Sequence, residues 1–151
     1  MDGQENREQG IGGTALAQDI ETLKAYQLAK AYKHVLLRLA NRIDRDFGNR
    51  RLSQDMMGAA QSLTANMCEG YGRFTWADRA HFFRISRGST RETFDHLDSA
   101  LASSYISNDE FQQMISQGRE VLRVTDGYIA YLVKMDKAEK EKKRPRDRGT
   151  P

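Results

Sequence analysis

The segment from Ser62 to Glu92 constrains the fold most strongly, because it places two turn glycines between two helical patterns. Before the turn, apolar residues recur at three- and four-residue steps as far as Gly70 and Gly72. After it, the same spacing resumes. This spacing is typical of amphipathic helices, and glycine commonly ends a helix. The segment therefore predicts two long helices joined by a short turn.

The same periodicity predicts one further helix on each side of this pair. The first runs from Asp19 to the stop signal at Gly48-Asn49, and Ser53 is expected to cap the second. Thr75, followed by Asp78, is an acidic variant of the capping box and should begin the third helix, which runs to about Ser104.

The fourth helix has the clearest start in the chain. Ser107 and Glu110 form a capping box, and Ile106 and Phe111 stand in the positions of a hydrophobic staple. The apolar stripe ends at about Asp136, where we expect the helix to fray.

Four long helices joined by short turns predict an all-α fold, an antiparallel up-and-down four-helix bundle. A chain of 151 residues can bury one core. We assign the bundle to residues 19–135. Residues 1–18 contain too few apolar side chains to fold on their own, and residues 136–151 form a basic flexible tail.

Composition argues against several classes of protein. Cys68 is the single cysteine, so no intramolecular disulfide is possible, and no apolar leader or membrane-spanning stretch is present. We expect a cytoplasmic protein that does not contact a membrane. Asp78-x-x-His81 and the Glu92–His96 step are weak matches to a di-iron pattern. We therefore expect no enzymatic activity, no cofactor and no metal, with a metalloenzyme as a minor alternative.

The positive charge is concentrated at the C-terminus. Residues from Lys134 onward contain eight basic and four acidic side chains, whereas the rest of the chain has 16 basic and 17 acidic ones. Arginines also recur at helical spacing on the first and third helices. We interpret these residues as a phosphate-binding surface: Arg38, Arg42, Arg45, Arg84, Arg87, Arg91, Lys140, Lys142, Lys143, Arg144, Arg146 and Arg148.

Two alternatives stay open for these side chains. The arginines can instead make salt bridges with the acidic residues near them in sequence, and the tail can serve only for solubility. Tyr71, Phe74 and Trp76 can stack on bases, but at a helix junction they more often belong to the core.

A second group of residues lies around the central turn. Asn66 and Glu69 share a helix face and can satisfy backbone donors at the turn or pair with an arginine such as Arg73. Gly88 and Ser89 are small and allow a close helix approach, within the bundle or between subunits. We assign a structural or subunit-interface role to Asn66, Glu69, Gly70, Arg73, Gly88, Ser89 and Glu92.

These residues carry a family resemblance. The chain is similar over residues 19–134 to the four-helix-bundle family of 23S rRNA intervening-sequence proteins, also called the S23 ribosomal protein family. The matching positions are Ser62, Leu63, Asn66, Glu69, Gly70, Gly72, Arg73, Phe82, Ile85, Arg87, Gly88, Ser89, Glu92, Leu97, Tyr105 and Ile106. Thr64, Arg79 and Ser86 depart from the family pattern.

The resemblance implies a cyclic homo-oligomer, typically a homopentamer, without enzymatic activity. Related bundles include the accessory variability determinant of diversity-generating retroelements, which works with a reverse transcriptase and binds nucleic acid. We therefore expect a non-catalytic oligomer that binds RNA or DNA, as an accessory scaffold to a reverse transcriptase. The alternative is a protein-binding or purely structural oligomer of the same family.

Overall fold

A computed structural model describes residues 20–144, which are almost entirely helical and include no strand. After a short helical turn at residues 20–22, the chain forms four long helices. They are α1 (Lys24–Phe47), α2 (Arg50–Tyr71), α3 (Trp76–Ala102) and α4 (Asn108–Lys143). The predicted all-α fold is confirmed.

The four helices close into a bundle. Each helix packs against the next one along the chain, and α1 also packs against α4. Because the connections are only two to five residues long, neighbouring helices run in opposite directions. The arrangement within one chain is therefore the predicted one, and its assembly into an oligomer stays a prediction.

Two helix starts follow the sequence signals. Thr75 Oγ1 accepts a hydrogen bond from the Asp78 backbone N–H at 3.1 Å and begins α3. At α4, Ser107 Oγ accepts from the Glu110 N–H at 3.1 Å, and Glu110 Oε2 accepts from the Ser107 N–H at 3.0 Å. These bonds satisfy amide donors that a helix start otherwise leaves unpaired.

The predicted cap of α2 was wrong. Asn49 caps this helix, since its Oδ1 accepts from the Leu52 N–H at 3.1 Å, and Ser53 is buried within the helix. Gly48 adopts φ 67°, a left-handed conformation that ends α1 at little steric cost. The chain thus reverses within two residues, and α2 begins earlier than the serine suggested.

The predicted end of α4 was also wrong. The helix does not fray at Asp136 but continues to Lys143. Lys140 Nζ lies 2.6 Å from Asp136 Oδ2, and Lys143 pairs with Glu139, so pairs four residues apart support the helix where the apolar stripe has ended. Residues 1–18, Arg146 and Arg148 lie outside the described residues.

Glycine brings the helices together at two points in the core. A Cβ atom at Gly70 would lie 2.7 Å from Phe82 Cβ, and one at Gly118 would lie 2.4 Å from Phe94 Cε1. Only glycine permits approaches this close without a shift of the neighbouring atoms. Gly70 therefore packs the end of α2 against α3, and Gly118 packs α4 against α3.

The three departures from the family pattern make defined contacts. Thr64 Oγ1 accepts a hydrogen bond from Lys33 Nζ at 3.1 Å, and Ser86 Oγ donates to the Leu63 carbonyl at 2.6 Å. Arg79 donates from Nε to the Arg73 carbonyl at 2.7 Å. Each polar side chain is thus satisfied where it meets a neighbouring element.

Candidate nucleic-acid interface

The three arginines of α1 lie together. Arg38, Arg42 and Arg45 line one shallow groove between α1 and α4, with Val35 and Met114 among its apolar lining residues. The three- and four-residue spacing places the arginines on one side of α1, and the packing of α4 against α1 supplies the opposite wall. We call this feature the arginine groove.

The three guanidinium groups differ in their pairing. Arg42 Nη2 lies 2.8 Å from Glu110 Oε1, and Arg45 Nε lies 2.7 Å from Asp46 Oδ1. Arg38 is exposed and has no ion-pair partner among residues 20–144. The groove therefore offers one free cation beside two that are partly neutralised.

These contacts lower the pKa of the acidic partners. The Ser107 backbone N–H and the Arg42 guanidinium both favour the charged carboxylate, so they lower the pKa of Glu110. The hydrogen bond from Arg45 likewise lowers the pKa of Asp46. Glu110 thus has two functions, as part of the capping box of α4 and as the ion-pair partner that holds Arg42 in the arginine groove.

The arginines of α3 do not form one continuous free stripe. Arg87 Nε lies 2.5 Å from Asp126 Oδ1 and joins α3 to α4. Arg84 and Arg91 are exposed on either side of this pair, and neither has an ion-pair partner within the described part of the chain. Two free cations therefore flank a bridge between helices.

The C-terminal cations are similarly divided. Lys140 and Lys143 pair with acidic residues of α4, whereas Lys142 and Arg144 are exposed, without an ion pair to any residue that the structure describes. Because α4 continues to Lys143, the three lysines lie at fixed spacing on one helix, and Arg144 follows directly after it.

The polar residues near the central turn join α2 to α3. Asn66 Nδ2 donates to Ser62 Oγ at 2.8 Å, and Ser62 Oγ lies 2.7 Å from Ser89 Oγ. Asn66 therefore bonds within its own helix and to this serine pair rather than to an arginine. Glu69 pairs with Arg73 at 2.5 Å, as the four-residue spacing suggested.

The two remaining residues of this group lie on the surface. A Cβ atom at Gly88 would have nothing within 4 Å, so Gly88 makes no close approach within the bundle and that interpretation was wrong. A close approach between subunits stays a prediction. Glu92 is exposed, with Oε1 3.6 Å from His96 Nε2.

The aromatic residues of the α2–α3 turn have different environments. Trp76 meets Tyr131 of α4 edge to face, with ring centroids 6.3 Å apart. The Arg79 guanidinium lies over the Trp76 ring at 5.1 Å and over the Tyr71 ring at 5.9 Å. Phe74 is fully exposed. Trp76 and Tyr71 therefore pack within the fold, and Phe74 alone of the three presents its whole ring to solvent.

Sequence reasoning missed the acidic partners Glu110 and Asp126. Asp126 is 39 residues from Arg87, and no local pattern connects them. Glu110 was assigned only to the capping box. The predicted bundle indicates that α4 runs antiparallel to α1 and α3. It does not indicate which residues of these helices lie opposite each other.

Two further properties concern residues 20–144 alone. In this range, no three His, Cys, Asp or Glu side chains are grouped so that they could hold a metal ion. No described helix combines the length and the apolar character that crossing a membrane requires.

Comparisons with known proteins agree with this fold. The chain is similar to the crystal structure of a protein of unknown function from the S23 ribosomal protein family of Bacteroides thetaiotaomicron VPI-5482. The TM-score is 0.67, with 15% sequence identity, over 70% of this chain and 97% of that one. This likeness shows a shared fold.

No curated protein matches the chain significantly. The family model of the 23S rRNA-intervening sequence protein matches residues 21–127. The chain therefore belongs to the family of 23S rRNA-intervening sequence proteins.

Proposed function

We propose that this protein is a non-catalytic homo-oligomer, a pentamer, that binds RNA or DNA through phosphates. The observation that carries the proposal is the convergence of Arg38, Arg42 and Arg45 in the arginine groove. Guanidinium groups bind phosphate through short, charge-assisted hydrogen bonds. Contacts of this kind position a nucleic acid without reading its sequence.

The geometry of the groove favours a phosphate ligand. Arg38 has no ion pair within residues 20–144 to break before it binds an anion. Arg42 is held in place by Glu110, so part of the entropy cost of ordering its side chain has already been met. Val35 and Met114 offer apolar surface beside these charges, against which a ribose or a base can pack.

Assembly would strengthen a modest site. One groove with a single free arginine binds weakly, but a ring of five subunits presents five grooves to one polyanion. Once the first groove is occupied, the others bind at a high effective concentration. Arg84 and Arg91 would add free cations on another face of each subunit. We further propose that the oligomer acts in the cytoplasm, as an accessory scaffold to a reverse transcriptase or another RNA-handling protein.

A matched pair of variants tests the groove. We expect Arg38→Gln with Arg45→Gln to weaken binding of a structured RNA and to flatten its salt dependence, by about 0.7 to 0.9 in log–log slope for each phosphate that the variant no longer binds. Arg51→Gln with Arg123→Gln removes the same charge from exposed, ion-paired positions elsewhere. The measurement is RNA affinity as a function of salt concentration. Equal slopes for the two double variants would disprove the role of the groove.

The second candidate function is a protein-binding or purely structural oligomer. The Arg87–Asp126 bridge favours it, because this arginine is used to join two helices. Such a protein would remain oligomeric in light scattering but would bind no RNA even at low salt.

A further inference from the structure

The C-terminal part of α4 carries a basic surface that residues 20–144 leave uncovered. Residues 134–144 include six basic and three acidic side chains, a net charge of +3. Along one side of this segment a shallow groove is lined by Val133, Asp136, Lys137, Lys140, Glu141 and Arg144. Val133 is 45% exposed, so the described part of the chain leaves its side chain largely open. We call this surface the α4 stripe.

The α4 stripe lies at the end of the bundle where the chain enters α1. Because α1 and α4 run in opposite directions and Arg42 near the end of α1 pairs with Glu110 near the start of α4, the first turn of α1 lies near the middle of α4, and the last turns of α4 extend beyond it. Trp76, the first residue of α3, lies at the same end, where its ring contacts Tyr131. In the last turns of α4, the hydrogen bond from Lys143 lowers the pKa of Glu139. Ile20, just before α1, is buried in the core.

The residues that precede Ile20 have the complementary charge. Residues 1–19 contain four acidic side chains and one arginine, a net charge of −3, together with the apolar residues Ile11 and Leu16. An extended chain of this length reaches up to about 60 Å. The α4 stripe, from Val133 to Arg144, is only about 16 Å long at the rise of an α-helix. A tethered segment of this size has an effective concentration on the order of millimolar at a surface within its reach.

We propose that residues 1–19 bind along the α4 stripe of their own chain. The acidic side chains would lie against Lys137 and Arg144, which line the groove and have no ion pair to any described residue, and an apolar residue would cover Val133. Bound there, the segment would compete with phosphate groups for the same cations. This second consequence rests on the proposed nucleic-acid binding, whereas the intramolecular contact does not.

Carboxylate-to-amine cross-linking tests the contact directly. A zero-length cross-linker should join Glu5 or Glu8 to Lys137 or Lys140 at low salt, and high salt should abolish the products. Oligomers reassembled from isotopically light and heavy chains identify the source of each product. Products within one isotopic form support the proposal. Mixed light–heavy products would show docking on a second copy and overturn it, as would an absence of cross-links at low salt.

The affinity for nucleic acid tests the competition. We expect the triple variant Asp2→Asn, Glu5→Gln and Glu8→Gln to bind single-stranded RNA several-fold more tightly than the wild type at low salt, with the difference abolished at high salt. A control variant removes three exposed acids at the opposite end of the bundle: Asp95→Asn, Asp98→Asn and Asp109→Asn.

The two proposals fail in different ways. If both triple variants gain the same affinity for RNA, the gain comes from the change in net charge. The proposed competition between residues 1–19 and phosphate groups would then be wrong. If the wild type and both variants bind no RNA, the proposed function is wrong, and the cross-links alone then decide the intramolecular contact.

Discussion

The Tyr32 hydroxyl of α1 lies 3.0 Å from Thr93 Oγ1 of α3, so a hydrogen bond crosses the core between two helices that are not neighbours in the bundle. Thr93 Oγ1 donates to the Thr90 carbonyl at 2.6 Å, which makes Tyr32 the donor to Thr93. Burial raises the pKa of Tyr32 to about 12. The phenol therefore remains a donor throughout the physiological pH range.

Replacing Tyr32 with phenylalanine should lower the free energy of unfolding by about 1 kcal/mol, the usual net value of one buried hydrogen bond. The cost should stay near this value because Thr93 keeps its bond to Thr90. Urea denaturation measures the change. Tyr131→Phe is the control, since that ring is 48% exposed and should change stability by less than about 0.5 kcal/mol. Equal effects of the two substitutions would contradict a role for the bond across the core.

Gly118 and Gly127 both lie in α4, but replacing each with alanine should change the free energy of unfolding in opposite directions. A Cβ atom at Gly118 would lie 2.4 Å from Phe94 Cε1 and 2.8 Å from the Tyr32 hydroxyl, so Gly118→Ala should destabilise the fold by about 1 to 3 kcal/mol.

At Gly127 a Cβ atom meets nothing within 4 Å, so Gly127→Ala should stabilise the helix by up to about 1 kcal/mol. Thermal and urea denaturation of both variants measure the difference. A stabilising effect at Gly118 would show that α3 and α4 pack less closely than described.

These examples show which parts of the fold a sequence can predict. The capping box of Ser107 and Glu110 is local, so four consecutive residues are enough to predict the start of α4. The Tyr32–Thr93 bond spans 61 residues and depends on the relative register of two helices, which no local pattern records.

The candidate site likewise combines local spacing with contacts between distant parts of the chain. Helical spacing placed Arg38, Arg42 and Arg45 on one side of α1, and the structure brings them into one groove. Helical spacing did not reveal Glu110 as the partner of Arg42, because that contact depends on how α4 packs against α1. The end of α4 was misjudged for another reason. The end of an apolar stripe predicts the end of a helix only where burial supports that helix, whereas pairs such as Asp136–Lys140 support a helix without burial.

Glu110 should make stability depend on pH in the acidic range. Its pKa is lowered in the folded protein by the Ser107 N–H and by Arg42, relative to about 4.3 in an unfolded chain. The contribution of its charge is therefore fully present above the unfolded value and is lost as the pH falls through the folded pKa.

The variant Glu110→Gln keeps an amide oxygen for the cap but cannot ionise. We expect its free energy of unfolding to fall less than that of the wild type between about pH 6 and about pH 3. Urea denaturation across this range measures the difference. Parallel curves for the two proteins would show that the ionisation of Glu110 is not coupled to folding.

Gly88 offers a test of assembly that is independent of nucleic acid. A glycine within an exposed helix costs about 1 kcal/mol relative to alanine, and no contact within the described chain explains it, since a Cβ atom there meets nothing within 4 Å. If a second copy packs against this face, Gly88→Leu should reduce the molar mass measured by light scattering coupled to size exclusion. Gly127→Leu is the matched control on α4, where a Cβ atom is equally unobstructed. Because both sites are open within one chain, both variants should fold. An unchanged mass for Gly88→Leu, in a protein whose wild type is oligomeric, would place the subunit contact on another face.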